Sequence, residues 1–522
     1  MKVPTLTPVG KVLLAIGVLV VLSGIIANIW VKKAVVHFLK TKLPSEVNVT
    51  YDALSVNSFR GLISFDNLEV IFSKKERSSV QTKIMVGKGG IHVNLLQMAL
   101  QKTIHIQHLR LDQAAIVHYT AASKTANPKA KKSNLSFNTP LQIDKFSMND
   151  ATLSVANARG DSTLLTVEAL QLDILDLHTN AEQLKQNIPF TYGTYNLSFK
   201  NLSARANRFE QLTLANFHAQ PKQWSYTNFA IVPNYKALEL SQHINVERDH
   251  ISLSIPAMKW TNPSFKQATK TIAFKLDTMV VSTPTLRVFR DKLVADDHRI
   301  KPLYSEMLKT LPFDLAIDVI TIQQGEIYYT ERIAKEKPME GIRFTSLNAT
   351  IRHLGNSYRD TTKTWVHTSS KLMNEAPLVL NWNFNANDES NHFNASGSLN
   401  DLNTSAINPY LKANLNTTSD GRIDQLYFSI YGNHISTQGQ LKMKYKNLSF
   451  KIMKSDLKGV NKILTAIGSL FVKDHSKDGV DDFRYATIET TRDQTKSFFN
   501  YVWLNVSDGL LGALTGNGKL DK

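Results

Sequence analysis

Three aspartates recur at the same place in a repeated pattern, and they are the first candidates for chemistry in this sequence. Asp144, Asp277 and Asp318 each follow one apolar residue and precede another by two positions. Paired carboxylates can work as a general acid and base. Aspartates at equivalent bends can instead accept hydrogen bonds from backbone N–H groups that the bend leaves without a partner. Because all three positions are equivalent, we expect the second, structural role.

Other patterns of catalytic and metal-binding residues are missing from the sequence. It contains neither H-E-x-x-H nor G-x-S-x-G, and it has no cysteine for thiolate chemistry or disulfides. His105 and His108 are three apart on a predicted strand, so they fall on opposite faces and a shared metal is not expected. The tail at 516–519 lacks residues of the phosphate-binding loop. We therefore expect a protein that is not an enzyme and has no catalytic residue, metal or cofactor.

The aspartates belong to a frame of apolar residues that predicts bent β-strands. In residues 315–327 the apolar residues alternate, step once by three after Ile317, and alternate again. Alternation at period two indicates a strand with one buried face. A bulge at Asp318-Val319 would keep Ile317 and Ile320 on that face while the strand bends. Further copies of the frame lie at 104–116, 141–153, 253–265 and 274–286.

A sheet built from these copies has one apolar face that something must cover. Few helices are predicted between residues 47 and 453, so the sheet either closes on itself as a sandwich or barrel, or buries its face against another molecule. A sheet that repeated bulges curl into a trough would suit acyl chains. The candidate residues of this lipid groove are Ile104, Ile106, Leu109, Leu111, Ile143, Phe146, Met148, Leu276, Met279, Val281, Ile317, Ile320 and Ile322.

An uncharged stretch at residues 12–31 is long enough to cross a bilayer as a helix. A cleaved signal peptide is the alternative, but the apolar run is longer than an ordinary signal sequence needs. Lysines are more numerous after the stretch than before it, which by charge counting keeps the large domain in the cytoplasm, although long domains often translocate regardless. The candidate anchor residues are Leu13, Leu14, Ile16, Val20, Ile25 and Trp30.

The formal net charge of +17 favours anionic partners such as acidic lipid headgroups. A lysine cluster at 124–132 indicates a solvated loop, and no nucleic-acid-binding fold accompanies it, so nucleic acid is not an expected partner. Two amphipathic helices are predicted near the C-terminus, one at 457–471 and one with Phe499, Val502, Trp503 and Val506 on its apolar face. We expect them to cap the sheet, with binding to a membrane surface as the alternative.

The C-terminal part of the sequence contains a run of glycine and apolar residues, namely Phe393-x-x-x-Gly397-x-Leu399, Gly421-x-Ile423-Asp424-x-Leu426-x-Phe428, Gly432 and Gly439-x-Leu441. In this run, in the N-terminal span and in the apolar-Asp-x-apolar-x-apolar frame, the chain resembles the AsmA-like proteins of Gram-negative envelopes. The segment 491–501 is similar to the C-terminal ends of AsmA-like members from Bacteroidota. This resemblance implies a single-pass inner-membrane protein with its body in the periplasm, related in plan to TamB and to chorein-type bridge-like lipid-transfer proteins.

The fold class that we expect is mainly β, with an N-terminal transmembrane helix, an elongated, curled antiparallel β-groove built from bulged strand repeats, and two C-terminal amphipathic helices. The predicted segments are a cytoplasmic N-terminus at 1–11, the transmembrane helix at 12–31, an N-terminal AsmA-like β region at 32–120, a basic loop at 121–136, a central β-repeat region at 137–375, a C-terminal AsmA-like β meander at 376–454 and a helical region at 455–522.

The expected function is the binding or transfer of phospholipid or another acyl lipid by a membrane-anchored protein that contributes to outer-membrane lipid homeostasis. The alternative is a non-enzymatic assembly factor for outer-membrane proteins, with a closed β-sandwich core and other envelope proteins as its partners. The two hypotheses differ in what covers the apolar face, because a groove would hold lipid and a sandwich would have a dry core.

Overall fold

The computed structural model describes residues 8–41, 43, 46–73, 80–93, 104–120, 140–183, 186, 190–267, 271–359, 361–452, 475–476 and 480–515. The protein is mainly β, as predicted, and its 22 described strands form one large mixed sheet. The chain divides into two compact units. Unit 1 comprises Met1–Arg205 and Leu214–Pro221, and unit 2 comprises Ala206–Thr213 and Lys222–Lys522. The division falls within strand β9 (Glu210–Gln220).

Unit 1 begins with helix α1 (Pro8–Thr41) and continues as strands. These are β1 (Val47–Thr50), β2 (Ala53–Asn57), β3 (Leu62–Ser73), β4 (Val80–Val93), β5 (Ile104–Tyr119), β6 (Leu141–Ala156), β7 (Thr163–Thr179) and β8 (Thr194–Arg205). β1 and β2 both pair with β3, and from β3 each strand pairs with the next one along the chain. The pairing of β5 with β6 is parallel and the others are antiparallel.

The C-terminal half of α1 packs against the first strands of unit 1. Val35, Val36 and Leu39 contact one cluster that includes buried Leu54 and Phe65, so this part of the helix turns an apolar side to the strands. The turn between β2 and β3 is tied to α1 as well, since Ser58 donates its Oγ hydrogen to the carbonyl of Gly24 at 3.2 Å and its backbone N–H to Oδ1 of Asn28. Helix and strands are thereby held together at this end of unit 1.

Among the helices searched within the described residues, none combines the length and the hydropathy that crossing a bilayer requires. The predicted span 12–31 lies within α1. The side chains of its candidate anchor residues Leu13, Leu14, Ile16 and Val20 are outside the described part of the structure, whereas Ile25 and Trp30 are exposed. The membrane anchor therefore stays a prediction.

Unit 2 holds the remaining strands. They are β10 (Gln223–Pro233), β11 (His250–Thr261), β12 (Ser264–Gln267), β13 (Ile272–Ser282), β14 (Thr285–Asp291), β15 (Asp314–Arg332), β16 (Gly341–Gly355), β17 (Thr364–Leu372), β18 (Ala376–Phe384), β19 (Phe393–Asn403), β20 (Thr417–Gly432), β21 (Ser436–Ile452) and β22 (Arg484–Thr491). β11 and β12 flank one edge of β13–β14, and β15 flanks the other. From β15 to β22 each strand pairs antiparallel with the next.

The described helices of unit 2 are short except for the last one. They are α2 (Ala237–Leu240), α3 (Tyr304–Lys309), α4 (Asn408–Leu415) and α5 (Phe498–Thr515), with 3-10 turns at Thr404–Ile407 and Val480–Asp482. α5 packs on β21 and β22 within a large core whose members Leu441, Met443 and Ile488 are almost fully buried. We call this set the helix-covered core. The other predicted C-terminal helix, at 457–471, lies outside the described residues, as does the basic loop at 121–136.

The sheet is mixed, so the prediction that its strands are antiparallel is wrong for three of the described pairs. β5 runs parallel to β6, and both β13 and β14 run parallel to β15. Parallel neighbours need a crossover of a dozen or more residues. The chain supplies one between Asp291 and Asp314, which includes α3, and another between Tyr119 and Leu141. Alternating apolar residues occur in both kinds of strand, which is why the pattern did not distinguish them.

Candidate functional site

The repeated frame aligns with itself where strands run parallel in unit 1. The register of β5 and β6 places Ile106 beside Ile143, Leu109 beside Phe146, and Leu111 beside Met148. Each pair occupies the same position in its own copy of the frame. Ile104 lies beside Leu141 in this register, and its side chain is outside the described part. Neighbouring strands lie about 4.8 Å apart. The predicted lining residues of unit 1 are therefore brought together as rows that run across the strands.

The same alignment recurs in unit 2 between β13 and β15. Here the register places Leu276 beside Ile317, Met279 beside Ile320, and Val281 beside Ile322. These six residues are the candidate lining residues of unit 2, and they too occupy matching positions in their copies. The repeat that the sequence predicts is thus present as a repeat of neighbouring strands, and its equivalent residues touch across the sheet.

Antiparallel neighbours lengthen these rows with residues that the sequence analysis did not select. In unit 1, Leu172 of β7 continues the row of Leu111 and Met148. In unit 2, Trp260 of β11 and Ile351 of β16 flank the row of Met279 and Ile320. The signal that could have found them is the period-two alternation of apolar residues in the strands that precede and follow each parallel pair.

Most row residues belong to two apolar clusters whose members all lie on strands. Leu109, Ile143 and Val281 are outside both, and Ile106 packs on the cluster that α1 contacts. Face cluster 1, in unit 1, joins buried Val86, Ala114, Met148 and Ala151 with half-buried Leu68, Ile84, Leu111, Ile116, Phe146, Leu170 and Leu172. Face cluster 2, in unit 2, joins buried Leu276, Ile317 and Ile320 with half-buried Trp260, Phe274, Met279, Leu315, Ile322, Ile351 and Leu354. Many frame side chains therefore keep part of their apolar surface accessible, as a binding face requires.

The bends of these strands lie later in the frame than predicted. In all five copies the residue with a left-handed backbone, φ between 47° and 54°, is the tenth of the frame, namely Gln113, Asp150, Asn262, Thr283 and Gln324. In the β15–β16 pair the register shifts between Ile322 and Gly325, and not at Asp318-Val319. The β6–β7 pair shifts at the equivalent place. β5 also shifts register against β4 near the step of three.

The apolar residues on either side of the step of three lie on one face of the strand, as predicted. The predicted bulge, with one extra residue in the register against β16, is not present there. Ile317 and Ile320 belong to the same cluster, and the register against β16 is the same before and after Asp318. The residue opposite Asp318 in that register is His353, whose φ of 55° is left-handed. The turn in the neighbouring strand accommodates the step, so both strands contribute to the bend.

The recurring aspartates form hydrogen bonds with side chains. The prediction that they accept hydrogen bonds from freed backbone N–H groups is therefore wrong for the hydrogen bonds that the structure shows. Asp277 accepts a hydrogen bond from Nδ2 of Asn262 at 2.7 Å, and Asp318 accepts one from the hydroxyl of Tyr358 at 2.7 Å. Asp144 lies 2.7 Å from Nε2 of His105. Burial and the Asp318 carboxylate raise the pKa of Tyr358. Each contact joins two segments of the sheet, and this is a structural role.

A serine, a histidine and an aspartate meet on the polar side of β5–β7, but their order does not fit a nucleophile. Ser147 donates its hydroxyl hydrogen to Oδ1 of Asp173 at 2.6 Å, and Nε2 of His108 lies 3.0 Å from the same hydroxyl oxygen. Because Ser147 already donates to the carboxylate, the imidazole must donate to Ser147 and cannot serve as its base. Burial and nearby Lys145 lower the pKa of His108. The arrangement is a polar ladder between strands.

The search for metal ligands gives no site, since no group of three or more His, Cys, Asp or Glu able to hold an ion occurs among the described residues. Sequence reasoning also missed an aromatic cluster on β10–β13. In it Trp224 stacks on Trp260 with ring centroids 5.6 Å apart, and Phe265 lies 4.7 Å from Phe274. A comparison with protein-family models and with curated proteins found no match for this chain.

Proposed function

We propose that this protein binds acyl lipid on face clusters 1 and 2 and carries or transfers it without covalent chemistry. The observation that supports this most directly is that both clusters consist of strand residues in ordered rows, in which buried members such as Leu276 and Ile317 are flanked by partly accessible ones such as Met279. Apolar surface of this kind gains about 25 cal/mol for each Å² removed from water, and a lipid tail can remove it. The rows consist mainly of Ile, Leu, Met and Phe, so they offer no polar group that could orient a polar ligand. Hydrocarbon is the kind of ligand that such rows suit.

The cellular setting belongs to the same proposal. The resemblance to AsmA-like proteins favours a single-pass protein of the inner membrane with its body in the periplasm, and the net charge of +17 favours acidic headgroups beside the bound tails. In this setting the protein contributes to the lipid balance of the outer membrane. The headgroup stays in water because the rows lack buried polar partners for it.

Lipid that co-purifies with the detergent-extracted full chain tests the proposal. We expect mass spectrometry to find phospholipid at a reproducible ratio to wild-type protein. Met279→Glu should remove most of it, because a carboxylate in the middle of a row would have to be desolvated under a lipid tail. Thr278→Glu is the matched control, since the adjacent residue of the same strand points to the opposite side of the sheet.

The assembly-factor alternative predicts a different pair of results. If the apolar rows were sealed inside a dry core, wild-type protein would carry no more lipid than a detergent blank. Met279→Glu would then unfold the protein instead of emptying it, because the carboxylate would be buried without a partner. Far-UV circular dichroism of the variant distinguishes unfolding from loss of lipid. Wild-type protein without lipid, or an unfolded Met279→Glu variant, would contradict lipid binding.

A further inference from the structure

One apolar row of unit 2 continues from face cluster 2 into the helix-covered core. The register joins residues on six strands in turn, namely Trp260, Met279, Ile320, Ile351, Val366 and Trp382. We call these six residues the long row. Its first four members belong to face cluster 2, and Trp382 packs against the helix-covered core. The two apolar surfaces therefore lie on the same side of the sheet, because residues directly opposite each other on paired strands share a face.

Two helices cover the sheet beyond the Trp382 end of the long row. Tyr304 of α3 and Phe498 of α5 lie 5.5 and 5.0 Å from Trp382, measured between ring centroids. In the register the row continues from Trp382 to Ala395 and then to Ile430, which are each 2% exposed within the helix-covered core. A packed core leaves no room for a further molecule. A ligand that lay along the row would therefore have to stop at Trp382.

Aromatic rings also mark the other end of the long row. Trp224 is opposite Trp260 in the register and stacks on it with ring centroids 5.6 Å apart, and Tyr226 lies 4.9 Å from Trp260. Side chains stand roughly perpendicular to a sheet, and those of Ile320 and Ile351 are shorter than an indole ring. The rings at both ends therefore project further from the sheet than the side chains in the middle of the row.

The stretch between the two tryptophans has about the length of one lipid tail. From Met279 on β13 to Val366 on β17 the row crosses three strand spacings. At about 4.8 Å each, these spacings amount to about 14 Å. The hydrocarbon core of a bilayer is about 30 Å thick, so a tail that fills one leaflet reaches about 15 Å. One such tail, laid across the strands, would cover the aliphatic side chains of the row and end against the rings.

We propose that the long row binds one acyl tail across the strands and that Trp260 and Trp382 select the length of this tail. The inference rests on the proposed function and deepens it, because it names the lipids that face cluster 2 would hold, namely those whose tails match one leaflet. A longer tail would have to leave the row at a tryptophan and return part of its hydrocarbon to water. A shorter tail would leave apolar side chains of the row uncovered.

Competition between tail lengths tests the selection. The detergent-extracted full chain is incubated with equal amounts of three phosphatidylcholines whose tails reach about 8, 15 and 23 Å, or about half, one and one and a half leaflet depths. The protein is then separated from free micelles, and the lipids that remain bound are measured by mass spectrometry. We expect wild-type protein to retain the middle length about tenfold more than either of the others, because each methylene group left in water weakens binding.

Trp382→Ala should move the preference to the longest tail. A small cavity beside this residue, lined in part by Tyr304 and Phe498, would join the row when the indole is removed. Trp365→Ala is the matched control, since Trp365 is 51% exposed on β17 and, as a neighbour of Val366 in the chain, points to the opposite side of the sheet. The control should keep the wild-type preference.

Ile351→Trp should move the preference to the shortest tail, because it places an indole in the middle of the long row. Thr350→Trp is its control, since the adjacent residue of β16 points to the opposite side of the sheet. Thermal unfolding of all four variants is measured before the binding results are compared. Ile351 is half-buried, whereas Trp382 packs against a core, so Ile351→Trp decides the outcome if Trp382→Ala unfolds.

A photoreactive tail tests the end of the row in wild-type protein. A diazirine on the last carbon of a leaflet-length tail should label peptides that contain Trp260, Trp382 or the rings packed against them. Label found mainly on β20–β22, which lie beyond Trp382 in the sheet, would overturn the proposal, because the tail would then pass the helices.

The results separate this inference from the proposed function. Protein that retains no lipid of any length would overturn both. Equal retention of the three lengths, or the wild-type preference in both Trp382→Ala and Ile351→Trp, would overturn the selection of length and leave lipid binding standing. Control variants that shift the preference as far as the row variants do would overturn the selection as well.

Discussion

Unit 2 contains two apolar surfaces built on similar alternating strands, which adjoin at Leu315 and Leu354. One lies under a helix, and the other has all its members on strands. On β21 and β22, Leu441, Ala486 and Ile488 are almost fully buried beneath α5. On β11–β16, Met279, Ile322 and the other half-buried members of face cluster 2 keep part of their surface accessible. The two surfaces have the same side-chain periodicity. The comparison teaches that periodicity specifies an apolar face and does not say what covers it.

The covering helix is fitted to its strands by small residues. A Cβ on Gly509 would lie 2.7 Å from Cβ of Leu441, and a Cβ on Gly512 would lie 2.9 Å from Cβ of Ala486. Such distances are shorter than packed carbon atoms tolerate, so only glycine allows this approach. Face cluster 2 presents large side chains such as Trp260 instead.

The largest effect that we expect comes from opening the helix-covered core. Leu441→Ala should lower the free energy of unfolding by about 4 kcal/mol, because it leaves a cavity among fully buried neighbours. Met279→Ala on face cluster 2 should cost about 1 kcal/mol, since the half-buried site loses less apolar contact. Urea denaturation of both variants checks the difference. Equal losses would mean that the two surfaces are covered to the same extent.

The next largest effect concerns a buried ion cluster between the segments that precede β11 and α5. Glu247 is almost fully buried and lies 3.2 Å from Nζ of Lys292 and 3.0 Å from Nζ of Lys496. Glu247→Gln should lower the free energy of unfolding by about 3 kcal/mol, because it leaves Lys292 without a carboxylate and Lys496 with Asp296 alone, at 3.3 Å. Lys335→Gln, at an exposed site, is the control and should change stability little.

The pH dependence of that cluster has a defined sign. Burial raises the pKa of Glu247, but hydrogen bonds from Lys496 and Lys292 outweigh it and hold the pKa below its usual value. A carboxyl whose pKa is lower in the folded state stabilises the fold above the unfolded-state pKa and loses this contribution as the pH falls through the folded-state pKa. Wild-type protein should therefore lose stability towards acid more steeply than Glu247→Gln, which urea titrations at neutral and acidic pH can measure.

The smallest effect should come from the bends of the uncovered strands. Gln324 has φ of 52°, which costs an ordinary residue free energy that glycine does not lose. Gln324→Gly should raise the free energy of unfolding by about 1 kcal/mol, whereas Gln323→Gly in the extended strand beside it should lower it by a similar amount. Thermal unfolding of the pair checks the sign. A loss in both variants would mean that the Gln324 side chain stabilises the bend.

Much of the strand architecture could be predicted from period-two alternation. The frame residues fell on strands, and Met279 and Ile320 share a row because equivalent positions of a repeat become neighbours when copies pair in register. Strand direction could not be predicted, since parallel and antiparallel strands alternate alike. The bends were placed at Asp318 because the apolar residues step by three there, but they lie at Gln324, where the adjoining strand also turns at Ser346.

The face of α5 could be predicted from its apolar residues only in part, since Val502 and Val506 pack on the helix-covered core as predicted. The pattern placed Phe499 and Trp503 on the buried side, yet both are exposed, while Tyr501 and Asn505 are buried. The strands decide this orientation. Thr437 donates its hydroxyl hydrogen to Oδ1 of Asn505 at 2.6 Å, and Gly509 faces Leu441. The side of α5 that lies on the sheet is therefore set by close approach and hydrogen bonding as well as by its apolar residues.

The in-register pairing of parallel copies has a consequence for how such a sheet can grow or shrink. A parallel strand followed by its antiparallel partner forms a module that begins and ends on matching rows, as β5–β6–β7 and β13–β15–β16 do. Duplicating or deleting one whole module would change the width of the sheet by about 10 Å and leave every remaining row aligned. Gene duplication or protein design could therefore change the width of this sheet in fixed increments.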